Sequence, residues 1–289
     1  MKKRAPIFLC SLIFLLGFAT MFYPTISNWV HEQTASYVIS DYLNTISTKT
    51  TDEAQEQFLK AREYNQTLTG TVKSIMIADE NVANGIKDEL YYSTFDEISG
   101  IIGVIDLPAI NVTLPIYHGT EESILQKGVG HLEGSALPTG EINEHTVLTG
   151  HTGLPEAELF TDLDQLSTGD TFSLQVLDRV FTYEICDINV VLPSETQSLK
   201  ANEDKNLVTL VTCTPYGVNS HRLLVTGELS DVSIIDYTVQ TDNIPIVANN
   251  PLKNLPILII ISVILLVIFV IVVVITIITN KKRNKEDKL

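Results

Sequence analysis

Two long uncharged runs frame the chain, and between them the spacing of apolar residues changes character once. Residues 5–23 (APIFLCSLIFLLGFATMFY) and 257–279 (ILIIISVILLVIFVIVVVITIIT) carry no charged side chain. At helical rise each is long enough to cross a hydrocarbon core of about 30 Å. The second run predicts a transmembrane helix. The first reads as a signal peptide or an anchor, and with no small-x-small site after it an uncleaved anchor is favoured. Beyond it, Val30, Tyr37, Val38, Tyr42 and Ile46 recur at near-helical spacing, and so do Phe58, Ala61, Tyr64 and Leu68. Two helices are expected there, with Thr50 and Glu53 spaced as the capping box that opens the second.

Residues 70–100 hold no sustained period and predict a long connection. From residue 101 short β-rich runs follow one another between turns: IIGVIDLP, NVTLPIYHG, HTVLTGH, TFSLQVLD, VFTYEICDINVVLP, NLVTLVTC and RLLVTGEL. So many strands exclude a regular α/β alternation. Short helical inserts are expected at 120–127, capped by Thr120 with Ile124 and Leu125 inward, and at 155–166, with Leu159, Phe160, Leu163 and Leu166 on one face. The pattern predicts a mainly β fold, a closed or nearly closed barrel with N-terminal helices and short helical inserts, flanked by two transmembrane helices. Its expected divisions are a tail and anchor (1–23), N-terminal helices (24–100), the barrel (101–235), a linker (236–256), the second span (257–279) and a basic tail (280–289).

Charge orients this arrangement. Lys2, Lys3 and Arg4 precede the first run, and Lys281, Lys282 and Arg283 follow the second. By the positive-inside rule both termini are cytoplasmic and the middle faces outward. The terminal tails carry 8 of the 19 Lys and Arg but only Glu286 and Asp287 of the 35 acids, so 11 bases face 33 acids between the spans, a balance of −22. Such a surface disfavours nucleic acid and anionic headgroups and suits either cationic partners or simple solubility. Of the three cysteines, Cys10 lies in the first run, and Cys186, alternating with Tyr183 and Ile185 neighbours, reads as packed core.

Cys213 is different. It closes the run LVTLVTC, and Thr214, Pro215, Tyr216 and Gly217 break the strand at once, leaving the thiol at a strand end beside a loop. If the next strand returns antiparallel, Arg222 comes alongside, where a guanidinium favours thiolate and can hold a developing oxyanion. The plain alternatives are a core thiol and a surface arginine. A cysteine nucleophile acting on an amide needs a proton donor for the leaving amine, usually histidine. His31 sits at the membrane edge, and His221 points to the face opposite Arg222 in an extended strand. His118, His131 and His145 lie in loop or strand-start sequence. His151 ends the run TVLTG before a loop, the same setting as Cys213, and leads on placement.

At this point several separated blocks resemble one family. TLVTC (209–213) matches the TLxTC motif of sortases, LTGH (148–151) resembles their histidine motif, and Arg222 stands where their arginine does. The longer blocks LPIYHGTEESILQKGVGHLEGSALPTG (114–140) and TCTPYGVNSHRLLVTG (212–227) are similar to class C sortases, the pilus-assembling branch, as is YPTISN (23–28) beside the first anchor. The resemblance implies a sortase-type barrel and a membrane-anchored transpeptidase of Gram-positive bacteria that cleaves an LPxTG-like signal between Thr and Gly. It implies Cys213 as nucleophile, His151 as general acid and base, Arg222 as oxyanion and substrate-positioning residue, and Thr212 beside the nucleophile in the substrate groove. The implied partners are pilins or surface proteins with sorting signals and acceptor lysines, with no metal or cofactor. The family's Asp-Pro-aromatic lid motif is missing from residues 70–100. The nearest lid candidates are Asp79, Asp88, Tyr91 and Tyr92, against a polar loop with no blocking role. Attachment of proteins to the cell wall is the second enzymatic reading, and an anchored barrel for adhesion or sensing is the non-catalytic one.

Overall fold

The computed structural model describes residues 5–68 (5–12 by backbone only), 88–96, 98, 100–154, 157–195, 197–202 and 204–237, with eight helical positions between 265 and 279. The chain divides into two compact units, Met1–Glu32 with Asn249–Leu289, and Gln33–Ala248. Helix α1 (Ala5–Ile46) is continuous. It joins the first apolar run to the helix expected over residues 30–46, with Pro24 accommodated inside it at the loss of one backbone hydrogen bond. Among the described residues, Ile13–Ile46 is the helix long and apolar enough to cross a membrane. The run 257–279 lies mostly outside the described residues. Its described positions are helical, and Phe269 stacks on Phe14 with ring centroids 4.1 Å apart. The second span therefore stays a sequence expectation.

In the unit Gln33–Ala248, α2 (Thr51–Thr67) begins at the expected capping box. The Thr50 N–H donates to Glu53 Oε2 at 2.8 Å, and the Glu53 N–H donates back to Thr50 Oγ1 at 3.3 Å. Ala54, Phe58, Ala61 and Tyr64 form its buried face. The Arg179 guanidinium lies over the Phe58 ring at 3.8 Å and donates to Gln55 Oε1. At its C-terminal end, Asn65 pairs with both backbone groups of Leu137 and donates to the buried Glu144 carboxylate at 2.7 Å. Helix α2 is thus fastened to the barrel at both ends. Helix α1 is tied in by Tyr42, whose hydroxyl donates to Ile102 O and accepts from Leu177 N–H.

Eight strands close the barrel in the order β1-β2-β3-β4-β7-β8-β6-β5. They are β1 (Ile101–Leu107), β2 (Val112–His118), β3 (Val129–His131), β4 (Glu144–Thr149), β5 (Thr171–Val176), β6 (Arg179–Val191), β7 (Asn206–Thr214) and β8 (His221–Ile234). The pairs β2–β3 and β4–β7 are parallel and the remaining neighbours antiparallel. Strand β1 is buried at nearly every position instead of alternating. Its inner face joins the barrel core, and its outer face belongs to the same cluster as Tyr42, Phe58 and Tyr64 of α1 and α2.

Three helical expectations change in detail. The insert at 120–127 is a single turn, α4 (Glu122–Leu125), opened by Glu121 instead of Thr120. Of the stretch 155–166, the described residues 157–166 are mostly turns with one 3₁₀ turn at Leu163–Gln165, although Leu159, Phe160, Leu163 and Leu166 are all buried. Within the long connection, α3 (Glu89–Ser93) is a short helix capped by Asp88, whose carboxylate accepts from the Tyr91 N–H. Past the end of β8, the Tyr237 hydroxyl donates to Leu177 O and accepts from Gln175 Nε2.

Candidate active site

The site grows from the alternation of β7 and β8. Val208, Leu210, Leu223 and Val225 point into the main core. The opposite face carries three cross-strand pairs: Thr209 with Thr226, Val211 with Leu224, and Cys213 with Arg222. Val211 and Leu224 are covered by Leu199 of the β6–β7 connection, together with Leu132, Val147 and Val191. Below them, His145 donates from Nδ1 to Lys200 O at 3.0 Å and accepts at Nε2 from Thr209, which accepts in turn from Thr226. A packed layer and a polar chain therefore fix the floor. The third pair, Cys213 and Arg222, stands at its open end, both half-buried.

His151 reaches the same level through β4. Strands β4 and β7 run parallel with Thr149 opposite Val211, and the Gly150 N–H continues the ladder to Val211 O at 3.1 Å. The Thr212 hydroxyl closes the next link by donating to Gly150 O at 2.8 Å. His151 then stands one residue beyond Gly150, as Cys213 stands one beyond Thr212. Its carbonyl accepts from the Phe160 N–H at 3.0 Å. A Cβ on Gly150 would lie 2.7 Å from the buried Phe160 ring, so only glycine allows this approach. Gly153, at φ +73°, likewise leaves room for Tyr216 of the β7–β8 loop.

The Arg222 Nη1 donates to Asn219 O and His221 O, while its Nε is buried with no partner among the described residues. Thr212 differs from its expected place in the groove. It is 3% exposed, on the inward face, and its hydroxyl is engaged by Gly150 and not open to a peptide. His221 is paired with Ser220 instead of joining Cys213. Glu122 is a site neighbour that sequence reasoning missed: its Oε2 lies 3.2 Å from His151 Nε2. Among the described residues, no group of three or more His, Cys, Asp or Glu converges as a metal centre requires. A cleft of about 280 Å³ lined by Asn65, Ser135, Glu144, His145 and Leu199 lies at the start of β4, away from His151 at its end.

His118, His131 and His145 are core histidines. Burial pushes the pKa of each down, that of His131 to about 3. The His131 Nε2–H donates to Ala136 O, leaving Nδ1 to accept from the Tyr91 hydroxyl at 2.9 Å. That hydroxyl also accepts from the Gly119 N–H at 3.0 Å. Tyr91, a lid candidate, is fully buried in this network, and Tyr92 is half-buried with its hydroxyl donating to Glu133. Asp88 serves as the cap of α3. Asp79 lies outside the described residues.

The closed eight-stranded barrel agrees with the family comparisons. The sortase domain family matches residues 105–230. A sortase C of Streptococcus pneumoniae has 38% identity, with a TM-score of 0.63, over 69% of this chain and 100% of that one. Sortase C-1 of Actinomyces oris has 43% identity, with a TM-score of 0.57, over 62% and 99%. The chain belongs to the sortase family of cysteine transpeptidases. Its likeness to these solved structures places it with the class C members. Sortase D of Bacillus subtilis is 34% identical over 39% of this chain, and that match spans about half (54%) of the relative's length.

Proposed function

We propose that the chain is a membrane-anchored transpeptidase that cleaves LPxTG-like sorting signals between Thr and Gly and joins pilin subunits through lysine isopeptide bonds. The Cys213 thiolate attacks the threonine carbonyl carbon, forming the C–S bond while Arg222 holds the oxyanion. The C–N bond to glycine then breaks, and His151 gives its proton to the departing amine. In the second half-reaction a lysine amine of another subunit attacks the thioester, His151 takes its proton, and Cys213 leaves as thiolate. Thr212 holds β4 to β7 beneath the reacting pair and does not touch the peptide.

The observation that carries this reading is the level placement of Cys213, Arg222 and His151 on three adjacent strand ends. Pilin as substrate is supported by the sortase C likenesses, among them the S. pneumoniae structure described in connection with pilin substrate specificity. The acidic segment between the apolar runs suits lysine-bearing partners. The test is a cell carrying this chain with a candidate pilin. A ladder of high-mass pilin that disappears with Cys213→Ala is expected. Formation of a wall-linked monomer alone would replace pilin polymerisation by wall attachment.

A further inference from the structure

Sequence reasoning supplies His151 with no orienting group, yet the fold brings one to it. Helix α4 presents Glu122 from the turn that follows β2, and Glu122 Oε2 stands 3.2 Å from His151 Nε2. The other carboxylate oxygen is also engaged: Glu122 Oε1 accepts from Gln126 Nε2 at 3.0 Å. The single turn of α4 is anchored by the fully buried Leu125, and Gly130 of β3 leaves the space that Leu125 fills. The carboxylate is 61% exposed and the imidazole 16%.

A carboxylate can only accept, so the proton of this contact sits on Nε2. That fixes the tautomer. The nitrogen left to exchange a proton with the thiol and the leaving amine is Nδ1. We propose that Glu122 is a positioning residue for His151, extending the Cys213, His151 and Arg222 trio by a fourth side chain that orients the imidazole by accepting from its Nε2–H. Other ionisable groups on the surrounding elements are Cys213 of β7, Arg222 of β8, Tyr216 of the loop joining them, Glu121 before α4, and Glu158 and Asp162 after His151. Glu122 is the one paired with the ring in the structure.

The inference rests on the transpeptidase reading for its kinetic consequence but not for its physical one, and the test separates the two. In full-length chain labelled with ¹⁵N-histidine and held in detergent micelles, exchange of the His151 Nε2–H is followed in wild type, Glu122→Ala and Glu122→Gln, the last of which keeps an acceptor oxygen. Glu122→Ala is expected to exchange this proton about three- to tenfold faster, with Glu122→Gln between. Cleavage of an LPxTG peptide by the same samples is expected to lose kcat by about three- to tenfold in Glu122→Ala with KM within about twofold, and Glu122→Gln recovers part of it. Equal exchange in wild type and Glu122→Ala overturns the proposal whatever the rates do. Faster exchange with an unchanged kcat also overturns it. Failure of the wild type to cleave any sorting peptide counts against the transpeptidase reading, and the exchange then decides the Glu122 contact alone.

Discussion

Replacing Tyr91 by Phe removes one oxygen from a site where the structure uses it three times. The Tyr91 hydroxyl accepts from the Gly119 N–H at 3.0 Å and shares its one proton between His131 Nδ1 and His131 O, at 2.9 and 3.0 Å. The ring is fully buried beside Tyr64, Tyr92, His118 and His131. Water cannot easily take the lost oxygen's place, so Tyr91→Phe leaves a buried donor and a buried acceptor unpaired. Each costs about 1–3 kcal/mol, giving a loss of roughly 2–6 kcal/mol. For a unit of this size that lowers Tm by roughly 5–12 °C. The assay is thermal unfolding of full-length protein in detergent by near-UV circular dichroism, paired with peptide-cleavage rates below the transition. The expected result is a lower Tm with kcat/KM within about twofold of wild type, since no catalytic group touches Tyr91. An unchanged Tm with faster cleavage would refute this reasoning and return Tyr91 to the role of a blocking lid.

Acid should destabilise the fold through its neutral core histidines. Their folded-state pKa values lie below the usual value near 6.5, so the folded chain binds fewer protons than the unfolded one as pH falls. Stability is complete above that value, and His131 alone withdraws about 1.4 kcal/mol per pH unit between about 6.5 and 3. A Tm that stays flat from pH 7 to 4.5 contradicts this. Gly150→Ala places a methyl against the Phe160 ring between the strand ends that carry His151 and Cys213. Overpacking costs about 1–3 kcal/mol, and displacement of His151 is expected to lower kcat/KM by about 10–100-fold. Gly150→Ala, Phe160→Leu should recover part of both, and full activity of Gly150→Ala alone contradicts the close approach.

The strands of the barrel were legible because period-two runs ending in turn residues have few other outcomes. Strand β3 escaped notice because three residues, one of them glycine, hold no pattern, and it forms where β2 and β4 offer it partners. The continuity of α1 through Pro24 was hidden because the apolar run and the periodic residues from Val30 onward read as separate segments, while the helix holds one proline without breaking. At the site, Cys213 and Arg222 could be placed together because one short loop and one antiparallel return determine their pairing. His151 could be placed by its strand-end setting, and the parallel β4–β7 register accounts for why that setting matters. Nothing near Glu122 in the sequence indicates His151, because that contact depends on where α4 is docked. Thr212 and Tyr91 likewise take inward positions that only closure of the barrel and burial of α3 decide.

The central claim is that Cys213 carries the acyl group. Full-length wild type incubated with an LPxTG peptide, quenched in acid and mapped by mass spectrometry, is predicted to bear the peptide up to threonine as a thioester on Cys213. The adduct should be cleaved by hydroxylamine and lost in Cys213→Ala, with Cys186, which the structure leaves exposed and not packed in the core as its sequence neighbours suggest, left unmodified. Cleavage that proceeds with no adduct on Cys213, or that survives Cys213→Ala, would contradict the account.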